Sequence, residues 1–149
     1  MTKNELLTYA RAVKHLRNLD AQIRGYEDAE LYSANNRAPT PLPYDHGNAV
    51  SPDVLAGRVQ KRDEMQKRKE GLEAEVEEGV RRVLSACRVL NLFEIEFVKL
   101  RYIGKKKGDF PYPQPIEDFF VLAKMLGISR RKCFIVQRTI LEKVAEIQV

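Results

Sequence analysis

The sequence predicts an all-α protein in two parts. A long antiparallel helical hairpin, coiled-coil-like, spans residues 1–90, and a small helix-turn-helix domain spans residues 91–149. Three observations predict this. Apolar residues recur at spacings of three, four and seven through two long charged segments. A proline-rich connection at 33–52 separates those segments, and Leu122–Val144 reads as helix, glycine-centred turn and basic helix.

Thr2 and Glu5 have the spacing of a capping box, and Leu6, Tyr9, Val13, Leu16, Ile23 and Tyr26 give the adjoining segment one apolar stripe. One helix from about Asn4 to Leu31 is expected. Between Ser33 and Pro52 lie Pro39, Pro41 and Pro43 among Asn, Gly and Ser, so this run holds neither a helix nor a central strand. It reads as an extended or disordered connection.

The second long helix is expected to begin near Pro52-Asp53, with Ser51 as its cap and Pro52 at its first position. Leu55, Val59, Met65, Leu72, Val76, Val80, Val83, Cys87 and Leu90 form a roughly heptad seam, thin between Gln60 and Gly71. A single thin stripe on each helix implies self-association, as a dimer or larger homo-oligomer. Gly71 and Gly79 weaken this helix by about 1 kcal/mol each relative to alanine, and a bend is expected there.

Asn91 with Glu94 makes a second capping box, so the chain stops and restarts as a helix there. Leu92, Phe93, Ile95, Phe97, Val98, Leu100 and Ile103 make the new helix the most apolar in the chain and the inner helix of the C-terminal domain. In the next loop Gly104 and Gly108 bracket Lys105, Lys106 and Lys107, and Pro111, Pro113 and Pro115 keep the returning segment extended. The lysine triplet is a candidate contact to nucleic-acid backbone, and a solvated loop is an equal reading.

Asp118 caps the next helix, which ends at Gly127, suited to the left-handed backbone of a two-helix corner. Ser129 then caps the final helix. On a helical wheel Cys133, Val136, Ile140, Val144 and Ile147 form the core stripe, with Arg131, Ile135, Arg138 and Glu142 opposite and Lys132 and Phe134 on the flanks. Cations at a helix N-terminus are locally unfavourable, so Arg130, Arg131 and Lys132 around one cap imply an absent anion. The candidate DNA-binding set is Ser129, Arg130, Arg131, Lys132, Ile135 and Arg138, joined by Lys105, Lys106 and Lys107. Of these, Arg131, Lys132, Ile135 and Arg138 face the major groove.

Composition bounds the remainder. The chain has 149 residues, 32% of them charged, and no run approaches the roughly 20 apolar residues of a membrane span. Residues 1–90 carry 15 Lys and Arg against 14 Asp and Glu, whereas residues 91–149 carry 11 against 7, so the basic excess lies with the candidate site. Two cysteines, Cys87 and Cys133, and two histidines are too few and too scattered for a zinc spacing. No cofactor, metal or catalytic motif is expected, the chain reads as a non-enzyme, and its start reads as amphipathic helix rather than a leader, which implies the cytoplasm.

The segment NLFEIEFVKLRY and, after a loop, LAKMLGISRRKCFIVQRTILEKV resemble region 4 of sigma-70-type factors. The matching positions are Leu100-Arg101-Tyr102, Leu122 to Ser129, and Ile140 to Val144. With two long charged helices and a proline-rich connection ahead of it, the whole chain resembles phage regulators of the ArpU and RinA type. That resemblance implies a regulator of phage or prophage late genes that binds double-stranded DNA at a promoter and contacts RNA polymerase. The loop from Gly104 to Pro115 departs from the family, which joins these helices by a few residues. A second expectation, of another class, is a DNA-packaging component like a small terminase subunit, although such proteins carry their DNA-binding part at the N-terminus.

Overall fold

Thr2 and Glu5 form their capping box in the computed structural model, which describes residues 1–35 and 52–147. The box opens α1 (Lys3–Leu6), and after Leu7 the chain continues as α2 (Thr8–Asn35). The single helix expected from Asn4 is therefore interrupted once. The Thr8 hydroxyl bonds back to the Glu5 carbonyl (2.8 Å), the local competition that hydroxyl side chains offer a helix. α2 also runs to Asn35, past the expected start of the connection. Residues 36–51, with the expected Ser51 cap, lie outside the described residues.

α3 (Pro52–Ala86) starts at the proline. Its end tightens into one 3-10 turn, Cys87–Val89, and Leu90 is extended. The Asn91 box then opens α4 (Leu92–Val98), with Glu94 N–H on the Asn91 side chain (2.8 Å) and Asn91 N–H on the Glu94 carboxylate (3.1 Å). A widened turn, Lys99–Ile103, closes it through a Gly104 N–H to Lys99 carbonyl bond of 2.7 Å. α5 (Phe119–Leu126) and α6 (Arg130–Val144) complete the helices. The fold is all-α; among the described residues the β pairing is limited to one antiparallel bridge, Lys105 with Gln114. No helix among them is long and apolar enough to cross a membrane.

By contacts the chain divides into Met1–His15 with Leu72–Val149, and Leu16–Gly71. Periodicity places the boundary at residue 90; contacts instead join the first 15 residues and the last part of α3 to the C-terminal segment. The core shows why. Leu6 of α1, Val83 and Ala86 of α3, Phe97 and Val98 of α4, Leu122 of α5, and Cys133, Ile140 and Val144 of α6 are all fully buried in one cluster. Tyr102 is buried there too, whereas Leu92, expected inside, is 87% exposed. At about 100° per residue Leu92 points roughly 140° away from Phe97, so the start of α4 turns its leucine outward.

In the Leu16–Gly71 unit, polar side chains join α2 to α3. Lys69 reaches Asp20 (3.8 Å), and Lys61 and Arg62 lie 5.8 and 6.0 Å from the centre of the Tyr26 ring. Leu16 and Leu19 are buried, but Val59 of the expected seam is 56% exposed. Cations over an aromatic face and the Lys69–Asp20 ion pair join the two helices where the apolar seam thins.

Gly79 marks a close crossing with Tyr9. A Cβ built on it would lie 2.7 Å from Tyr9 Cβ and closer still to the Tyr9 backbone, whereas one on Gly71 meets nothing within 4 Å. Both sit inside α3, so helix propensity favours alanine at both by about 1 kcal/mol. Gly79→Ala should nevertheless destabilise the protein by about 1–3 kcal/mol through overpacking, while Gly71→Ala stabilises it. Urea unfolding of the two variants checks the pair; stabilisation by Gly79→Ala would remove the close crossing.

Candidate nucleic-acid interface

The α5–α6 corner is built from three local devices. Asp118 accepts from the Phe120 N–H (2.8 Å) and starts α5. Gly127 takes φ 67° and ψ 32°, which brings the Ile128 N–H onto the Ala123 carbonyl (3.0 Å) and ends α5 in a Schellman-type cap. Ser129 Oγ accepts from the Lys132 N–H (3.1 Å) and starts α6. Capping engages the Ser129 oxygen as an acceptor and leaves its O–H able to donate.

Core packing fixes which side of α6 faces out. Cys133, Ile140 and Val144 are fully buried, with Val136 and Ile147 half-buried at the edge of the same cluster. Arg131, Lys132 and Arg138 are exposed away from them, and Ile135 is 57% exposed among them. No acidic residue stands in the first turn. Arg130, Arg131 and Lys132 thus occupy a first turn in which three of the four leading N–H groups have neither an intrahelical partner nor the Ser129 cap, a concentration of positive potential that suits a phosphate.

Arg130 differs from its neighbours. Its guanidinium carbon lies 5.9 Å from the centre of the Phe134 ring, and Phe134 packs edge-on against Phe119 with centroids 4.6 Å apart. Phe119 in turn lies under Arg101, 4.7 Å from its guanidinium carbon, and Arg101 donates to the Ile116 carbonyl (3.0 Å). The wheel places Phe134 only on a flank; its 53% exposure and its ring contacts make it the support for Arg130. Periodicity gives no sign of this pairing, although an Arg-x-x-x-Phe spacing puts the two one helical turn apart.

Grooves run along both flanks of the outward face. One, of about 230 Å3, is bordered by Asn91 and Phe93 of the α4 start and by Lys132, Ile135 and Thr139 of α6. The other, of about 390 Å3, lies along Phe134, Arg138 and Glu142. Glu94, 5% exposed, lines the first and joins α4 to the far end of α6 through a 2.6 Å ion pair with Lys143. Burial disfavours its charge, but the Lys143 hydrogen bond, the Asn91 N–H and the Lys143 charge outweigh that and hold the carboxyl below its ordinary range. The sequence pattern assigns Glu94 only the capping role.

Lys105, Lys106 and Lys107 are exposed in their own loop. The loop is anchored on Leu100, whose carbonyl takes the Ile116 N–H (3.2 Å), and on Tyr9, whose hydroxyl donates to the Pro113 carbonyl (2.7 Å). The nine candidate residues therefore stand in two groups, one held by the α5–α6 corner and one by this loop. Among the described residues no group of three or more His, Cys, Asp or Glu is placed to hold a metal ion. Comparison with known protein families, with curated proteins and with solved structures finds no match for the chain.

Glu94→Gln preserves the shape and the capping geometry but removes the charge facing Lys143. A hydrogen bond to a charged group is worth about 1.5–3 kcal/mol, and Lys143 is 40% exposed, so the cost at pH 7 should be about 1–2 kcal/mol. A carboxyl depressed in the folded state contributes stability above its unfolded value near 4.3, and that contribution is lost as pH falls through the lower folded value. The stability gap between the two proteins should stay constant down to the unfolded value near 4.3, then narrow and close as pH falls through the lower folded value; a gap that does not narrow on acidification would contradict the ion pair as its source.

Proposed function

We propose that the chain is a sequence-specific double-stranded DNA-binding regulator whose α5–α6 pair acts as a helix-turn-helix. Arg131, Lys132, Ile135 and Arg138 enter the major groove, and Arg130, with Lys105, Lys106 and Lys107, meets phosphates. The observation that carries this is the outward side of α6: three cations and one bare isoleucine on a helix whose opposite side packs into the core through Cys133, Ile140 and Val144. Arginine and lysine pair with guanine O6 and N7, and an aliphatic side chain fits a thymine methyl. The resemblance of residues 91–144 to sigma-70 region 4, and of the whole to ArpU- and RinA-type phage regulators, extends the proposal to a promoter of phage late genes and to contact with RNA polymerase. The long α2 and α3 pair is the self-association element in this reading.

Reading and positioning separate experimentally. Arg131→Ala should cost about 1–3 kcal/mol at the preferred site and relax base preference at one or two positions. Arg130→Ala should weaken binding to all sequences while leaving the preferred sequence unchanged, because its guanidinium is drawn toward Phe134. Selection from a random duplex pool with wild type and both variants measures this. Identical sequence preferences from wild type and Arg131→Ala would put the wrong side of α6 in the groove. Sedimentation of the whole chain tests the assembly: dimers or larger species are expected at tens of micromolar, well above the concentrations at which specific regulators bind DNA, and a monomer contradicts it.

A further inference from the structure

We infer that Tyr9, near the start of the chain, is a positioning residue for the backbone contact made by Lys105, Lys106 and Lys107; this rests on the reading of that loop as a DNA contact. The loop is preformed. Lys105 and Gln114 exchange both backbone hydrogen bonds (3.1 and 2.8 Å), and Gly104 (φ 88°) lies so close to the Gln114 carbonyl that any Cβ there would collide with it. Gly108 (φ 59°) turns the tip. Phe110 and Tyr112 pack ring against ring at 5.9 Å. Beyond that one bridge the returning strand alternates Pro111, Pro113 and Pro115, and proline has no N–H, so a longer ladder cannot form.

A further restraint comes from a distant part of the chain. Tyr9, 1% exposed, donates its hydroxyl to the Pro113 carbonyl at 2.7 Å, across 104 residues of sequence. Burial, with a smaller contribution from Tyr112, pushes the Tyr9 hydroxyl up to about 12, so it remains a donor at any working pH. Tyr9 is itself fixed from behind, because its backbone lies against Gly79 of α3. A loop held in this way meets a phosphate row without first losing conformational freedom, and preorganised contacts bind more tightly than ones ordered on binding. Tyr9 touches no nucleic acid in this scheme; it sets where the lysines stand.

The test is a double-mutant cycle on the whole chain, with a duplex recovered from a random pool and an unrelated duplex of equal length as probes. Tyr9→Phe retains the ring and loses one hydrogen bond. It should weaken binding to both duplexes by about 2- to 10-fold, and in a Lys105→Ala, Lys106→Ala, Lys107→Ala background it should change affinity by less than about twofold. In the free protein, amide exchange at Lys105 and Gln114 should speed up in Tyr9→Phe. An equal loss in both backgrounds would make Tyr9 a general stabiliser and overturn the inference. So would an unaffected affinity in Tyr9→Phe while the triple variant binds more weakly, and this outcome leaves the loop as a DNA contact. If the triple variant keeps wild-type affinity and salt dependence, the loop is no DNA contact, and the inference falls with that reading.

Discussion

Phe119 is the packing point on which the outward face of α6 depends. As the first residue of α5 it meets Phe97 of α4 (centroids 6.4 Å apart) and Phe134 of α6 (4.6 Å), and it carries Arg101 over its ring. Its carbonyl is also within 3.9 Å of the Cys133 sulfur, on the buried side of α6. Two helices, α4 and α6, are thus located against one ring of α5. Because Cys133 is fully buried beneath it, rotating α6 by even part of a turn would drive Arg131 or Ile135 toward the core. Close-packed interiors do not deform continuously, so the outward set is held as a set.

Charge placement depends on that constraint. Arg130, Arg131 and Lys132 occupy the first turn of α6, where the backbone N–H groups already concentrate positive potential. A chain selected only for stability would place acidic residues there, as it does at the starts of α1 with Glu5 and α4 with Glu94. The contrast within one molecule sets the start of α6 apart from the starts of α1 and α4. Glu94 contributes indirectly: its ion pair with Lys143 ties the start of α4 to the last turn of α6 and fixes the groove between them.

The local devices were legible because they depend on neighbours in sequence. Both capping boxes, the left-handed Gly127, the Asp118 and Ser129 caps and the buried stripe of α6 arise from residue types three or four apart. Contacts between distant segments were not legible. Periodicity marks Leu6, Tyr9 and Val83 as buried but does not say against what, and these residues draw both ends of the hairpin segment into the unit containing α4 to α6. Gly79 carries no sign of its crossing with Tyr9, since a glycine in a helix reads as weakness until the partner backbone is known. Of the candidate site, Arg131, Lys132, Ile135 and Arg138 emerge on one outward side as expected. The aromatic support of Arg130 and the Tyr9 tie on the lysine loop required the tertiary structure.

The central claim is that this exposed side of α6 is a surface that binds DNA. Backbone amide shifts of the whole chain, tracked while a duplex recovered from a random pool is added, test it most directly. The account predicts the largest changes at Ser129 to Arg138, with a second group at Lys105 to Lys107, both diminishing as salt is raised. Failure to recover any duplex, or changes confined to residues outside α6, would contradict it.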